Sequence, residues 1–109
     1  MATPLKIRNL VAPAGGLLVV SGPTNIKWVL ISNSSAATAF VQLFNAIAGV
    51  TLGTTTPDLE FIVPATTGVV NVVFPVNGCL FSTGLIAAST TTEAGATASA
   101  TGVEVFLGV

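Results

Sequence analysis

The chain contains 109 residues with a mass of 10.9 kDa, which suffices for one compact domain with a hydrophobic core but not for two. It is 51% hydrophobic and only 6% charged, whereas an ordinary soluble domain is roughly 25% charged. The formal net charge of -1 and the lack of a basic cluster argue against nucleic-acid binding, which needs several Lys or Arg side chains on phosphates.

The low charge is the most informative feature of the composition. A folded monomer of this mass should expose roughly 5,600 Å², so three basic and four acidic side chains amount to about one charge per 800 Å². Such a surface keeps a free monomer poorly soluble. Lipid, other protein subunits or a coat of hydroxyl side chains could cover it, and the last two fit together because Thr, Ser, Gly and Asn dominate the non-apolar positions. We therefore expect a homo-oligomer.

A membrane location is disfavoured by the pattern of apolar residues. A spanning helix needs about 20 predominantly apolar residues, and every such window here contains several Ser, Thr, Asn, Gly or Pro. The apolar runs are also shorter than the roughly 9 to 11 residues of a transmembrane β-strand. No continuous apolar segment follows Lys6 and Arg8, so we expect no signal peptide. Cys79 stands alone, so we expect no internal disulfide and synthesis in a reducing cytoplasm.

The first half of the chain consists of apolar runs of strand length separated by Gly and Pro, and no helical period persists over a dozen residues. An extended N-terminal segment, residues 1–16, contains the run 5–11, and further runs occupy 17–21, 26–32 and 38–45. In the run 26–32, alternation predicts one face with Ile26, Trp28 and Leu30 and the other with Lys27, Val29 and Ile31. Both faces are almost entirely apolar, which is typical of a strand covered on two sides.

The second half continues with strand-like runs at 59–63, 69–74, 79–88 and 103–107. The low-complexity loop 89–101, STTTEAGATASAT, has no bulky apolar residue, so we expect it to be mobile or to fold onto a neighbouring subunit. About eight short strands at regular spacing predict an all-β, single-domain β-sandwich with jelly-roll topology. We expect the only tryptophan and five of the six phenylalanines to form its core: Trp28, Phe40, Phe44, Phe61, Phe74 and Phe81.

Asp58 and Glu60 are half of the acidic residues and lie two positions apart, which raises the question of an active site. Pro57 and Asp58 are turn residues, because Pro fixes φ and the Asp side chain accepts from nearby backbone amides. Glu60 would then be a solvent-facing strand residue. Acid-base catalysis needs suitably spaced carboxylates in a cleft, and this pair belongs to no recognisable motif. We therefore predict a role in the turn, in solubility or in pairing between subunits, and no enzyme activity.

The sequence lacks the residue sets that nucleophilic catalysis, metal binding and phosphate binding need. There is no His or Tyr to activate a nucleophile, and the apolar surroundings of Cys79 predict a buried, inert thiol. Neither a metal-ligand set nor a Gly-rich phosphate loop is present. We expect no cofactor and no small-molecule substrate. The glycosylation sequon at 33–35 is interpreted as accidental, because no secretory signal accompanies it.

Turn and core motifs between residues 31 and 88 resemble those of small structural proteins from tailed phages and prophages. A Leu-aromatic-Asn triplet ends a strand at 43–45, a Gly-Thr-x-x-Pro turn covers 53–57, a Pro-x-x-x-Gly turn covers 64–68, and Phe-Ser-Thr-Gly occupies 81–84. The chain departs from this pattern in having Phe44 where a Tyr is common, and its loop 89–101 is poor in acidic residues. The resemblance implies a β-sandwich virion component; head decoration or cement proteins of this kind typically trimerise on a capsid lattice.

The resemblance therefore implies a non-enzymatic capsid decoration protein on the outer surface of the virion, with copies of itself and the major capsid protein as partners. Candidate contact residues are Lys6, Arg8, Thr91, Thr92 and Glu93, and solvation of an edge strand explains Lys6 and Arg8 equally well. The alternative is a tail, fibre or baseplate module that binds a host glycan or another virion protein. Glycan sites usually combine exposed aromatic rings with polar groups, and a chain with one Trp and no Tyr offers few.

Overall fold

The computed structural model describes residues 4–7, 16–66, 68–75, 77–95, 97 and 102–109. These residues form ten β-strands: β1 (Pro4–Ile7), β2 (Leu17–Val20), β3 (Thr24–Ile26), β4 (Trp28–Asn33), β5 (Ala39–Phe44), β6 (Leu59–Val63), β7 (Gly68–Val73), β8 (Cys79–Phe81), β9 (Leu85–Thr90) and β10 (Val103–Gly108). Within the described ranges, no helix is long and apolar enough to cross a membrane.

Eight of the strands build two antiparallel four-stranded sheets. The front sheet has the order β1-β10-β4-β7 and the back sheet the order β2-β9-β5-β6, while β3 and β8 pair separately. Along the chain, the eight strands alternate between the sheets except at the β5–β6 hairpin, and this order is that of a jelly roll. The prediction of an all-β, single-domain β-sandwich with short strands is confirmed.

The main core lies between the two sheets and consists of every second residue of their central strands. On the front sheet, β4 contributes Val29 and Ile31, and on the back sheet, β5 contributes Val41 and Leu43, all with no exposed surface. The core is completed by Ala39, also of β5, and by buried residues of other strands: Ile26, Val63, Phe81, Leu85, Ala87, Val103, Val105 and Leu107. Burying an aliphatic side chain of this size stabilises the fold by roughly 1.5 to 3 kcal/mol, so this layer is the main source of stability.

A second, smaller core covers the outer surface of the back sheet. The connection between β5 and β6, residues 45–58, folds over that surface and buries Val50 and Leu52 against Phe44 and Ile86. A turn at its tip brings the amides of Thr54 and Thr55 to the carbonyl of Thr51, 3.0 and 2.8 Å away. All six residues of β9 are therefore buried, although only alternate ones face the main core.

The alternation of inward-facing and outward-facing side chains is interrupted at Lys27, which lies between β3 and β4. Its amide donates to the Gly108 carbonyl at 2.6 Å, and its own carbonyl accepts from the Phe74 amide at 2.9 Å. Because of this irregularity, Ile26 and Val29 both face the main core although they are three positions apart. The predicted grouping of Ile26 with Trp28 and Leu30 is therefore wrong.

The aromatic residues predicted for the core divide into three groups. Phe81 is buried in the main core, with Phe61 and Phe74 partly buried against it, and Phe44 lies in the second core. The prediction that Trp28 and Phe40 form part of the core is wrong. Neither residue belongs to either core, and both are only partly buried. The reason is alternation, because each lies next to a core residue, Val29 or Val41, and so occupies the opposite face of its sheet.

Candidate interaction surfaces

The outer surface of the front sheet carries a group of apolar side chains, which we call the front patch: Trp28, Leu30, Val69, Val73 and Phe106. The strand register places these residues side by side. Leu30 of β4 lies between Phe106 of β10 and Asn71 of β7, and Trp28 lies between Gly108 and Val73. Trp28 and Val73, and likewise Leu30 and Phe106, are direct cross-strand neighbours on one face. Val69 lies diagonally to Leu30, with Asn71 between it and Val73 along β7.

Exposure within the front patch increases toward the edge strand β7. Val69 is 61% exposed and Val73 is 75% exposed, whereas Trp28, Leu30 and Phe106 are half-buried. Large apolar side chains in a contiguous exposed group are typical of interaction sites. The front patch is therefore a candidate binding surface.

Gly108 allows the indole of Trp28 to lie flat against the sheet. The two residues are register partners on β10 and β4, and a Cβ atom added at Gly108 would overlap the indole ring. Only a glycine at this position lets the ring approach the neighbouring backbone so closely. The ring is thereby held in the front patch with one face against the protein.

Polar residues limit the front patch at one end. Ser32 lies between Glu104 and Val69 in the strand register, and Glu104 is half-buried. Glu104 is the only charged residue among the outward positions of β4, β7 and β10. On these three strands the centre of the face thus carries apolar groups and an amide, Asn71, while on the edge strand β1 the backbone of Lys6 is in register with Phe106.

Sequence reasoning missed this surface because it interpreted the run 26–32, which includes most of β4, as covered on two sides and assigned no exposed face to the run 69–74. Asn71 was the available signal. An amide in the middle of VVNVVF indicates that its face, with Val69 and Val73, points to solvent. The structure places exactly these three positions among the exposed ones.

The outer surface of the back sheet is partly covered by the chain itself, although Ile62 of β6 and Leu18 of β2 remain 59% and 46% exposed there. Besides the 45–58 connection, the segment 91–97 packs on it: the Gln42 Nε2 group donates to the Gly95 carbonyl at 3.2 Å and to Thr90 Oγ1 at 2.7 Å. Thr90 Oγ1 in turn donates to the Thr92 carbonyl at 2.9 Å. Gln42 has no exposed surface, so the described part of this segment is tied to a buried polar group.

This arrangement corrects the prediction for the loop 89–101. Ser89 and Thr90 are fully buried residues of β9 and not part of a loop. Within the rest of the segment, Gly95 and Ala94 are hydrogen-bonded to Gln42 and Glu60 of their own back sheet, while residues 91–94 are exposed. Residues 96 and 98–101 lie outside the described ranges.

Asp58 and Glu60 each hold a backbone amide in place. The Asp58 carboxylate accepts from the amide of Asn45 at 2.7 Å, and the Asp58 amide donates to the Leu43 carbonyl at 2.9 Å. The Glu60 carboxylate accepts from the amide of Ala94 at 2.7 Å. One carboxylate thus fixes the start of the 45–58 connection and the other fixes the segment 91–97. Glu60 is half-buried rather than facing solvent as predicted.

Asn33 is buried at the end of β4 and joins three stretches of chain. Its Nδ2 group donates to the carbonyls of Ala37, Val63 and Pro64 at 2.9, 3.1 and 3.1 Å, and its Oδ1 atom accepts from Ser35. Only 1% of the side chain is exposed. The sequon at this position is therefore inaccessible in the folded protein, in agreement with its interpretation as accidental.

A shallow depression of about 270 Å³ lies beside the front patch and is lined by Ser32, Asn33, Ser34, Thr66, Gly68 and Val69. Its volume is just below the roughly 300 to 1,000 Å³ of ordinary small-molecule sites. No charged side chain lines it. In the described part of the chain, no three His, Cys, Asp or Glu residues are close enough to hold a metal ion.

The residues predicted to contact partners lie on different parts of the molecule. Thr91, Thr92 and Glu93 are exposed and follow β9 of the back sheet. Lys6 belongs to β1, the edge strand of the front sheet, where its backbone is in register with Phe106. Arg8 lies outside the described residues. Cys79 is half-buried against the main core rather than fully buried.

Comparison with known proteins gives no relative of this chain. No protein-family model matches it, and neither a curated protein nor a solved structure does so. Its function is therefore inferred from its surfaces and from the motifs in its sequence.

Proposed function

We propose that this chain is a non-enzymatic virion structural protein that decorates and stabilises a tailed-phage capsid by bridging major capsid subunits as a homotrimer. The front patch is the observation that carries the proposal, because a protein with this uncovered apolar face is suited to work in an assembly. The jelly roll adds support by analogy, since viral capsid domains often use this fold. The turn motifs shared with phage structural proteins point the same way.

The charge of the folded surface supports an assembled state. The surface of 5421 Å² carries only three basic and four acidic side chains. Two of those acidic groups, Asp58 and Glu60, are engaged with backbone amides. These two groups keep their charge, but a total of seven ionisable acidic and basic side chains gives little repulsion to keep isolated copies apart in solution.

The stabilising mechanism is linkage between binding and capsid state. A protein that binds the expanded lattice but not its disrupted form stabilises the lattice by its binding free energy, about 2.7 kcal/mol per site at a free concentration of 100 Kd. A trimer that contacts several capsid subunits contributes this binding free energy at each contact with the lattice. The exposed residues Thr91, Thr92 and Glu93, and the N-terminal residues Lys6 and Arg8, are the candidate lattice contacts.

The proposal is tested by mixing the purified protein with empty expanded capsids that lack it. We expect saturable co-sedimentation and a higher temperature of capsid disruption, and no binding to capsids that have not expanded. Bovine serum albumin in place of the protein controls for nonspecific pelleting. Failure to bind expanded capsids would contradict the proposal, and binding to isolated tails alone would favour the tail-module alternative.

A further inference from the structure

We propose that β7, an edge strand of the front sheet, pairs with β7 of a second copy of this chain. The two strands are antiparallel and related by a two-fold axis at Asn71, so that two front sheets join edge to edge into one. The inference goes beyond the proposed function, because it concerns main-chain pairing at a two-fold axis. The proposed trimer has a three-fold axis, and an edge contact of this kind would join one trimer to the next.

Hydrogen bonds at both ends of β7 show which of its residues face β4. The amide of Thr66 donates to the Ser35 carbonyl at 2.7 Å, and the amide of Phe74 donates to the Lys27 carbonyl at 2.9 Å. Both pairs continue the β4–β7 register beyond its two ends. Because the main-chain groups of successive strand residues point to opposite sides of the strand, the even-numbered residues of β7 are also directed toward β4.

The odd-numbered residues of β7 present their main-chain groups to solvent. These residues are Val69, Asn71 and Val73, and their N–H and C=O groups point away from β4. β7 is the last strand of its sheet, and no other described residue donates to these groups or accepts from them. A row of unpaired main-chain groups at a sheet edge is a template for pairing with another strand.

The other three edges of the sandwich carry features that oppose strand addition. β1 contains Pro4 and Lys6, and β6 contains Glu60; proline and charged side chains discourage pairing at an edge. β2 has a register shift between Leu18 and Val20, and an irregularity of this kind bends the edge away from a partner. β7 has no charge and no proline, and all six of its residues are in unbroken register with β4. It is therefore the open edge among the described strands of the two large sheets.

The sequence of β7 favours a second copy of the same strand as the partner. Residues 69–73 read VVNVV, which is the same in both directions. With the axis at Asn71, Val69 lies opposite the partner's Val73, and the two Asn71 side chains lie opposite each other. Valine thus meets valine, and amide meets amide. An amide suits this position because it donates and accepts at once.

The outward main-chain groups fit the same axis. In an antiparallel pair, opposed residues whose main-chain groups face each other exchange two hydrogen bonds. The axis at Asn71 brings all three outward residues of each strand into such pairs, which gives about six hydrogen bonds. Moving the axis by one residue in either direction places Asn71 opposite a valine, so the proposed register is the one that matches both side chains and main chain.

Two double variants test the register. Val69→Lys/Val73→Lys places like charges opposite each other at both ends of the contact, whereas Val69→Lys/Val73→Glu places opposite charges there. Starting from a net charge of -1, the two variants have net charges of +1 and -1, so overall repulsion between copies is equal. We expect the dissociation constant at low salt to be at least tenfold higher for the first variant than for the second.

Sedimentation equilibrium measures these constants, and thermal melting checks the fold of both variants. Val69 and Val73 are exposed, so both variants should melt close to the parent protein. We expect the parent protein to associate into an even number of copies. Equal dissociation constants in the two variants would overturn the inference. A parent protein that stays monomeric at millimolar concentration would also overturn it, even if it captured an extended segment of another protein.

A proline substitution tests the contribution of the main chain. Asn71→Pro removes an N–H group that the fold leaves unpaired, and Asn71→Ala keeps it. Proline is tolerated on an edge strand where its N–H side faces solvent, so we expect native circular dichroism in both variants. The dissociation constant should be at least tenfold higher for Asn71→Pro than for Asn71→Ala. Equal association of the two would overturn the inference. Unfolding of Asn71→Pro alone would show that this N–H faces β4, which would overturn it as well.

The same variants separate this inference from the proposed function. If the two double variants differ as expected but the parent protein does not bind expanded capsids, the inference stands and the decoration role fails. If the protein decorates capsids while the two double variants associate equally, the inference fails and the decoration role stands.

Discussion

Two asparagine side chains, Asn33 and Asn45, form hydrogen bonds between loops and strands at opposite ends of β5. At one end, the buried Asn33 ties the β4–β5 turn to the end of β6. At the other end, the Asn45 Oδ1 atom accepts from the Thr83 amide at 2.8 Å, and its Nδ2 group donates to Ser82 Oγ at 3.2 Å. An amide side chain suits both places because it donates and accepts at once.

Asn33→Ala should lower the free energy of unfolding by roughly 1 to 3 kcal/mol, because the buried carbonyl of Val63 and the part-buried carbonyl of Pro64 lose this donor. Urea denaturation followed by circular dichroism measures this loss. Asn71→Ala is the control, since Asn71 is exposed in the middle of β7, and its effect should stay within about 0.5 kcal/mol. Equal stability of the two variants would contradict the role assigned to Asn33.

Gly108→Ala should disturb Trp28, because the added methyl group overlaps the indole ring. We expect destabilisation by roughly 1 to 3 kcal/mol and a shift of tryptophan emission toward that of an exposed ring. Gly22→Ala is the control, as a Cβ atom there meets nothing within 4 Å. If emission is unchanged in Gly108→Ala, the ring does not pack on this glycine.

At the scale of the elements, much of the fold could be predicted because turn chemistry is local. Gly and Pro separate the strands at positions that the sequence shows directly, as in the turns around 53–57 and 64–68. The outward direction of Trp28 could not be predicted in this way. It depends on the shift at Lys27, whose hydrogen bonds go to Gly108 and Phe74, far away in sequence.

The candidate surfaces were less predictable than the strands for the same reason. The position of residues 91–97 on the back sheet depends on contacts from Gln42 to Gly95 and from Glu60 to Ala94. Nothing in the low-complexity sequence indicates those partners. The front patch could be inferred only from Asn71, since a strand apolar on both faces is equally typical of a buried position.

Glu60→Ala should loosen the segment 91–97, because the amide of Ala94 loses its acceptor. We expect faster hydrogen exchange at the Ala94 amide and a loss of roughly 1 kcal/mol in stability. Glu93→Ala removes an equal charge from an exposed site in the same segment and should leave that exchange rate unchanged. Identical exchange in the two variants would show that Glu60 does not hold the segment.

At the scale of the whole molecule, the scarcity of charge determines how association responds to salt. In the proposed oligomer, with so few ions in the chain, the attraction between copies would come from apolar burial, which simple salts do not screen. Between about 0.1 and 1 M NaCl, we expect the dissociation constant of the oligomer to change less than threefold. Sedimentation equilibrium at both concentrations measures this. A tenfold weakening at high salt would indicate that ion pairs hold the copies together.

The two broad surfaces of the sandwich differ in how they are finished. Residues 45–58 cover part of the back sheet, whereas the outer positions of β7 on the front sheet are exposed. An assembly of the proposed kind that used only the front face would close into a finite ring instead of stacking into layers.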